Sequence, residues 1–336
     1  MSKSNDIDST GSDGMRTAHG NTATSNSNGL HRQSAEITHF DELPDAPPRR
    51  RVHLSWTGKI GIAVIVFWLL MVIIGPFIAP YHEADILDEA LFVVPGGEQY
   101  PDTDFQPPSR VAYLGTDYLG RDTLSRVLFG ARTTIGISVT ACLLAYLLGV
   151  TLGIAAAVGG GLLDTVLSRF NDAFLSIPHI MLGLVVIAAI GSSIPILILL
   201  TGFIYATSVF RIARALGQDV MVSDFVEAAR VRGEGLWWIV TREILPNVAM
   251  PLATDFGLRL VWIILFISAL SFLGLGVQPP MSDWGSMVKE NLAGLPYGSI
   301  APLMPSLAIA TLTISINMIV DDISAHAGGK LAKRMV

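Results

Sequence analysis

The sequence predicts an all-α polytopic membrane protein with six transmembrane helices. Of its 336 residues, 51% are hydrophobic and only 15% are charged, and the mean hydropathy is +0.53. A soluble globular domain carries about 25% charged residues. The apolar residues fall in runs near the roughly 20 residues that a helix needs to cross the hydrocarbon core. This composition excludes an ordinary soluble domain, and the sequence has no basic stripe suited to nucleic acid.

The first segment, residues 1–48, is predicted to be a disordered cytoplasmic tail. It is rich in Ser, Asn, Asp, Gly and Thr and poor in large apolar residues, so it cannot bury enough surface to offset its ordering entropy. No apolar core of a signal peptide follows its start. The first transmembrane helix is expected within residues 55–80, with Pro76 and Pro80 marking its far end.

Residues 81–131 are predicted to form a polar extracytoplasmic segment, too long for a hairpin loop. From Asp122 onward an amphipathic helix is expected to lie along the membrane surface before the second span. Residues 132–325 are read as the core membrane domain with five further spans, at about 134–158, 174–190, 194–209, 248–275 and 301–320. Pro178 is expected to kink the third of these six spans. Residues 326–336 then form a cytoplasmic C-terminal tail.

The basic residues beside the spans predict the orientation of the chain. They cluster before the first span, in the insert after the fourth span and at the C-terminus, namely at Arg49, Arg50, Arg51, Lys59, Arg211, Arg214, Arg230, Arg232, Arg242, Lys330, Lys333 and Arg334. Short loops rich in Lys and Arg stay in the cytoplasm. Both termini and the insert are therefore expected to be cytoplasmic.

The charged insert from Asp224 to Pro246 is predicted to fold as two helices joined at a sharp corner. Asp224 can cap the first helix, and Glu227 stands three residues on, as in a capping box. Gly233 and Gly235 end that helix, and Pro246 restarts the chain into the fifth span. A short arm of this kind could dock in a groove on another protein or lie in the membrane interface, and the residues alone leave both readings open.

Three stretches together resemble one family, the C-type permease subunits of the ABC importers for dipeptides, oligopeptides and nickel. The insert is similar to the EAA loop, through Glu227, Ala228, Ala229, Arg230, Gly233, Leu245 and Pro246. The stretch LGTDYLGRDTLSR resembles the external signature of the family, through Gly115, Thr116, Asp117, Gly120, Arg121 and Asp122. The stretch SFLGLGVQPP, followed by Trp-Gly, matches beyond the fifth span, from Ser271 to Gly285.

The resemblance covers about residues 55–325 and implies the ABC type I importer permease fold, with a cytoplasmic coupling helix at about residues 225–232. It implies an ATP-driven importer of di- or oligopeptides in the bacterial cytoplasmic membrane, in which this non-catalytic chain forms half of the translocation pathway. The implied partners are a B-type permease subunit, two ABC ATPase subunits and an extracytoplasmic substrate-binding protein. The chain has no G-x-x-x-x-G-K-[ST] sequence. We therefore expect no cofactor and no metal in this chain, with ATP and Mg bound by the ATPase subunits.

The chain departs from the family pattern at three places. Glu243 stands where an isoleucine is common, Gly235 replaces a bulkier polar residue, and Asp321-Asp322 replaces the usual Asp-Gly. The first two departures lie in the insert, so they bear on docking geometry rather than on the family resemblance.

Asp255 and Arg259 are candidate pathway residues, because they lie one turn apart in the fifth span. An intramembrane charge is a functional hypothesis by default, and such a pair could meet the amine and carboxylate of a free peptide. The simpler reading is an internal ion pair in the cytoplasmic half of the span, and this is the one that we favour at this stage.

Three other functions are weighed against peptide import. A nickel or metal-chelate importer is the nearest alternative within the class, although His179 is the only clear membrane histidine. An intramembrane enzyme would need paired catalytic groups at membrane depth, and none has suitable spacing. A channel would need no insert of the EAA type.

Overall fold

The computed structural model describes residues 55–88, 91–92 and 103–332, with side chains as far as residue 325. The predicted N-terminal tail lies outside the described residues, and residues 326–332 of the predicted C-terminal tail continue the last helix. The described residues form helices and loops, with two isolated β-bridges, Ile86 to Arg121 and Thr116 to Asp122. The predicted all-α fold is confirmed.

Nine α-helices are labelled here in chain order. They are α1 (Trp56–Ile78), α2 (Thr123–Gly159), α3 (Gly161–Leu175), α4 (His179–Ile190), α5 (Ile194–Met221), α6 (Asp224–Val231), α7 (Leu245–Phe272), α8 (Trp284–Asn291) and α9 (Leu303–Ala332). A short α-helical turn (Leu236–Trp238) and a π-helix (Ile239–Ile244) lie between α6 and α7, and a 3₁₀-helix (Leu292–Tyr297) follows α8.

Five of the helices in the described part of the chain are long and apolar enough to cross a membrane, and a bent pair, α3 with α4, brings the number to six. The bend between α3 and α4 is 83°. The expected kink at Pro178 is therefore a full break in the helix. Proline has no N–H to donate and disfavours the α conformation of the residue before it, so the helix ends and restarts at His179.

The second span differs from its prediction. The structure has one helix of 37 residues, α2, where the sequence predicted a surface helix followed by a separate span. Its first turns are already packed inside the protein, since Val127 and Leu128 are buried. The expectation of a helix lying along the membrane surface is therefore wrong, and the expected segment boundary at residue 131 falls inside α2.

Close helix packing depends on small residues. A Cβ atom added at Gly149 would lie 2.8 Å from the carbonyl oxygen of Ala206, and one at Gly153 would lie 2.7 Å from that of Phe210. Since no larger side chain fits, α2 and α5 are in backbone contact over several turns. The first and last spans pack in the same way, because a Cβ at Gly61 of α1 would lie 2.8 Å from the carbonyl oxygen of Ser315 in α9.

Candidate functional site

The predicted insert forms a helical corner, which we call the elbow and define as Asp224–Ile244. Its first arm is α6, of eight residues. The residue at its N-cap is Ser223, and Asp224 is the first residue of the helix, one position from the cap that the sequence predicted. Asp224 and Glu227 both lie in the first turn, where carboxylates interact favourably with the helix dipole.

The two faces of α6 have different surroundings. Val226 and Ala229 are fully buried and pack with Ile154 of α2, Ala213 of α5 and Val248 of α7. Among the predicted coupling residues the exposed ones are Glu227, Ala228, Arg230, Gly233, Leu245 and Pro246. The coupling role implied for both alanines would require both to be available to a partner. That is not the case for Ala229, whose side chain faces the bundle because it is three residues from Val226.

Gly233 ends α6 in the way that its sequence position predicted. Its φ is +81°, in the left-handed region that glycine adopts without steric cost. The N–H of Gly233 donates to the carbonyl of Arg230 at 2.9 Å, and the N–H of Glu234 donates to that of Ala229 at 3.1 Å. These two bonds form a Schellman motif, which satisfies carbonyls at the helix end and fixes the direction of the corner.

The second arm of the elbow runs into the membrane helix without a break. The helical turn after the corner widens into the π-helix, and the N–H of Leu245 donates to the carbonyl of Val240, five residues back. Pro246 is at the start of α7. The expectation that Pro246 restarts the chain is therefore wrong. A wider turn leaves room for the proline ring, which in an α-helix would meet the carbonyl of Arg242.

Several apolar side chains of the elbow are exposed, as is that of Val222 just before it. Their exposed fractions are high at Val222 (85%), Val231 (84%), Trp237 (78%) and Leu236 (59%). An open depression of about 420 Å³ lies beside α6, lined by Met221, Val222, Ser223, Glu227, Arg230 and Val231. The exposed surface thus combines apolar side chains with one acidic and one basic group, a composition typical of protein contacts.

The opposite end of α2 carries a buried charge network, which we define as Asp117, Arg121, Arg126 and Glu290. The Nη1 atom of Arg126 donates to Oδ2 of Asp117 at 2.5 Å and to Oε2 of Glu290 at 3.0 Å. The Nε atom of Arg121 donates to the same Asp117 oxygen at 2.8 Å, and its Nη2 lies 3.3 Å from Glu290. Two positive and two negative groups therefore balance, which a buried cluster requires.

The remaining residues of the predicted external signature shape the loop around this network. Gly115 and Gly120 have φ values of +71° and +74°, and a Cβ at either would overlap the chain near Thr103–Gln106. The hydroxyl of Thr116 donates to the carbonyl of Thr103 at 2.6 Å. Asp122 caps α2 by accepting from the N–H of Ser125 at 2.8 Å. Of the two aspartates in the signature, Asp117 forms the ion pair with Arg121.

Sequence reasoning did not select Arg126, Glu290 or Asp283 for this site. Arg126 stands inside the quoted signature, and its spacing of five residues from Arg121 gave no sign that both reach one carboxylate. Asp283 is fully buried, caps α8 and accepts from the hydroxyl of Thr134 at 2.8 Å. Burial raises the pKa of its carboxyl, although that hydrogen bond works in the opposite direction.

Trp284, the next residue, belongs to the stretch that resembles the family beyond the fifth span. Its side chain is fully buried, and its indole N–H donates to the carbonyl of Val127 at 3.0 Å. Its ring meets that of Trp68 of α1 edge-on, with centroids 4.8 Å apart. Trp284 therefore joins α8 to the membrane helices α1 and α2.

Asp255 and Arg259 form an ion pair, as the simpler reading expected. The Nε atom of Arg259 lies 3.3 Å from each carboxylate oxygen of Asp255, and the hydroxyl of Tyr146 in α2 donates to that carboxylate at 2.5 Å. Arg259 lies midway along α7. The assignment of this residue to the cytoplasmic half of the span stays a prediction.

The fold and these sites define a class: a multi-span helical membrane subunit that carries an exposed helical elbow at one end and a rigid, charge-linked layer at the other. Residues 149–330 match the family described as binding-protein-dependent transport system inner membrane component. Residues 51–108 match the N-terminal transmembrane domain of oligopeptide transport permease C. The chain belongs to the binding-protein-dependent transport system family, as a multi-pass inner membrane component. Members are generally non-catalytic, and the family implies ATPase and substrate-binding partners.

Individual relatives agree with the family match. The chain is 38% identical over 220 residues to a putative peptide transport system permease protein of Brucella suis, which covers 65% of this chain and 73% of that protein. It is 31% identical over 271 residues to a probable D,D-dipeptide transport system permease protein of Escherichia coli, covering 80% and 87%. It is 29% identical over 277 residues to a glutathione transport system permease protein of Pectobacterium atrosepticum, covering 81% and 87%.

Proposed function

We propose that this chain is the C-type permease subunit of an ATP-driven peptide importer, and that its elbow docks on an ATPase subunit. The family match and the relatives named for peptide, D,D-dipeptide and glutathione transport support a peptide as the substrate. A nickel importer is not favoured by any of these relatives. The partners would be a B-type permease subunit, two ATPase subunits that bind ATP and Mg, and an extracytoplasmic binding protein.

The observation that carries the coupling role is the two-sided packing of α6. One side, Val226 and Ala229, is held by three membrane helices, and the other side presents Glu227, Ala228 and Arg230. A push on the exposed side would therefore be transmitted to α2, α5 and α7 at once. An interfacial hairpin would instead turn its whole apolar face to lipid, and here Val226 and Ala229 face the protein while Phe225 and Val231 are exposed.

Coexpression with the ATPases of the same importer tests this docking role. Glu227→Lys reverses a charge on the exposed side of α6, and we expect the amount of copurified ATPase to fall at least about tenfold because the site would lose an acidic contact. Asp85→Lys also reverses an acidic charge, at an exposed residue in the segment after α1, far from the elbow in sequence. It should leave copurification unchanged. Equal recovery of the ATPase with both variants contradicts the docking role.

The proposed orientation places the elbow and both termini in the cytoplasm and the charge network outside. The chain has a single cysteine, Cys142, which is buried, so a Cys142→Ala chain can carry one reporter thiol. A thiol at Tyr297, which is 81% exposed, should react with a membrane-impermeant maleimide in intact cells, and one at Val222, which is 85% exposed, should react only after lysis. The reverse pattern contradicts the orientation.

We propose that the external signature, Gly115 to Asp122, acts as a scaffold and not as a direct contact of the binding protein. The network side chains Asp117 and Arg121 are fully or almost fully buried, so they are not available to a partner.

Uptake of a labelled dipeptide, a longer peptide and nickel by the complete importer tests the substrate. Uptake of nickel alone contradicts the proposal of a peptide importer.

A further inference from the structure

A polar cluster inside the membrane domain is not explained by packing. It consists of the ion pair Asp255–Arg259 on α7, Tyr146 on α2, Tyr205 on α5 and His179 at the start of α4. Charged groups at this depth are expensive and are usually retained for transport or ligand binding. We propose that Arg259 binds the terminal carboxylate of the passing peptide, with Asp255 and Tyr146 as positioning residues, an inference that rests on the proposed function.

The hydrogen bonds of Arg259 leave one edge of its guanidinium open. Only its Nε atom contacts Asp255, at 3.3 Å to either oxygen. Within the described part of the chain its two Nη atoms have no hydrogen-bond acceptor. An Arg fork binds a carboxylate with two parallel N–H donors, so this edge is the part of the side chain that suits a carboxylate ligand.

Asp255 is itself fixed, so it can hold Arg259 in place. The hydroxyl of Tyr146 donates to its Oδ2 atom at 2.5 Å, and the ring of Tyr146 meets that of Phe256 edge-on at 5.0 Å. A guanidinium anchored through Nε loses fewer rotamers when a ligand arrives than one on a free side chain. Tyr146 and Asp255 therefore orient the fork without touching the ligand.

Arg259 lies near a break in the third span. Arg259 is close enough to His179 and Tyr205 to interact with both electrostatically, and the rings of those two residues lie 5.6 Å apart. His179 is the first residue of α4, directly after the 83° bend. Broken helices at membrane depth line substrate sites in many transporters, and the N-terminal end of α4 adds partial positive charge.

Burial shows that the cluster is reachable but not open to bulk solvent. The side chain of Arg259 is 21% exposed and that of Asp255 is 14% exposed. A guanidinium turned toward lipid would be unfavourable, so its exposed part is expected to face the pathway. The pair is neutral as a whole, so an anionic group would be held weakly and released again, as conduction requires.

The test compares uptake of a peptide and its C-terminal amide by the complete importer in proteoliposomes. The binding protein is loaded to the same occupancy with either peptide, and copurification of all subunits is checked for each variant. With Arg259→Gln we expect the preference for the free acid over the amide to fall about tenfold, because one charge-assisted contact is lost. Arg132→Gln removes the same charge from an exposed site on α2 and should keep the wild-type preference.

The outcomes separate this inference from the proposed function. Unchanged preference in Arg259→Gln, or an equal loss of uptake for both peptides, overturns the carboxylate site. If Arg259→Gln does not assemble, Arg259→Lys decides, since it keeps the charge without the fork. A reduced preference in that variant supports the site, and a wild-type preference overturns it. Absence of ATP-driven peptide uptake by the wild-type complex overturns the proposed function itself, and this inference with it.

Discussion

Replacing Arg126 by methionine tests how the charge network holds its layer of the protein together. Both Arg126 and its partner Asp117 have side chains with 0% exposure. Removing one partner of a buried pair leaves an uncompensated charge and costs about 3–5 kcal/mol. Arg121 still donates to Asp117 and Glu290, so we expect the lower end of that range.

The assay is thermal unfolding of the purified protein in detergent micelles. At about 2–4 °C per kcal/mol, a loss of about 3 kcal/mol lowers the midpoint by about 6–12 °C. Arg110→Met is the control, because it replaces an exposed arginine by the same side chain. Its midpoint should move by no more than about 2 °C, as for most surface substitutions.

A second substitution refines this prediction. Arg126→Met leaves two carboxylates with one arginine, and adding Glu290→Gln restores the balance of one negative and one positive group. We therefore expect the double variant to recover at least about 1 kcal/mol relative to Arg126→Met alone. If Arg126→Met unfolds like Arg110→Met, or if the two changes simply add, the network does not stabilise the fold in the way described.

Three further predictions follow from single positions. Gly233→Ala places a Cβ at φ +81° and should destabilise the end of α6 by about 1 kcal/mol, seen as faster amide exchange in α6, whereas Gly235→Ala, at φ −75°, should not. Gly153→Leu should disrupt the contact between α2 and α5, and should lower the free energy of unfolding by about 3 kcal/mol or prevent folding. Gly136→Leu, at a position with open space around it, should unfold like the wild type. The raised pKa of Asp283 means that its contribution to stability is complete below the ordinary pKa of about 3.9 and is lost as the pH rises through the raised pKa. Asp283→Asn should therefore flatten the fall of the unfolding midpoint as the pH rises above about 4, and an unchanged slope contradicts this.

The spans could be predicted from the sequence because apolar runs of this length are stable in the hydrocarbon core of a bilayer and not in water. The predictions that failed rest on sequence patterns that fit two structural environments equally well. Leu124 and Val127 make the start of α2 amphipathic, and that pattern fits a surface helix as well as a helix packed under a loop. Similarly, Ser223 and Asp224 are both good N-cap residues, so the sequence left the start of α6 uncertain by one position.

The candidate sites were predictable only where one residue determines the local backbone. Gly233 was found because a left-handed helix end requires glycine. The pairing of Arg126 with Glu290 joins residues far apart in the chain, and no periodicity connects them. The burial of Ala229 follows from Ile154 of another helix. Long-range packing therefore determined which residues of each motif are available to partners.

The unbroken length of α2 has a mechanical consequence. A helix of 37 residues is about 55 Å long, well beyond the roughly 30 Å of a bilayer core. Its first turn holds the buried charge network through Arg126, and its last turns carry Ile154, which packs against α6 of the elbow at the other end. Tilting this single rod by about 5° would shift its two tips past each other by about 5 Å. Small rotations at one face would thus reach the far face as ångström-scale displacements, without any intervening joint to absorb them.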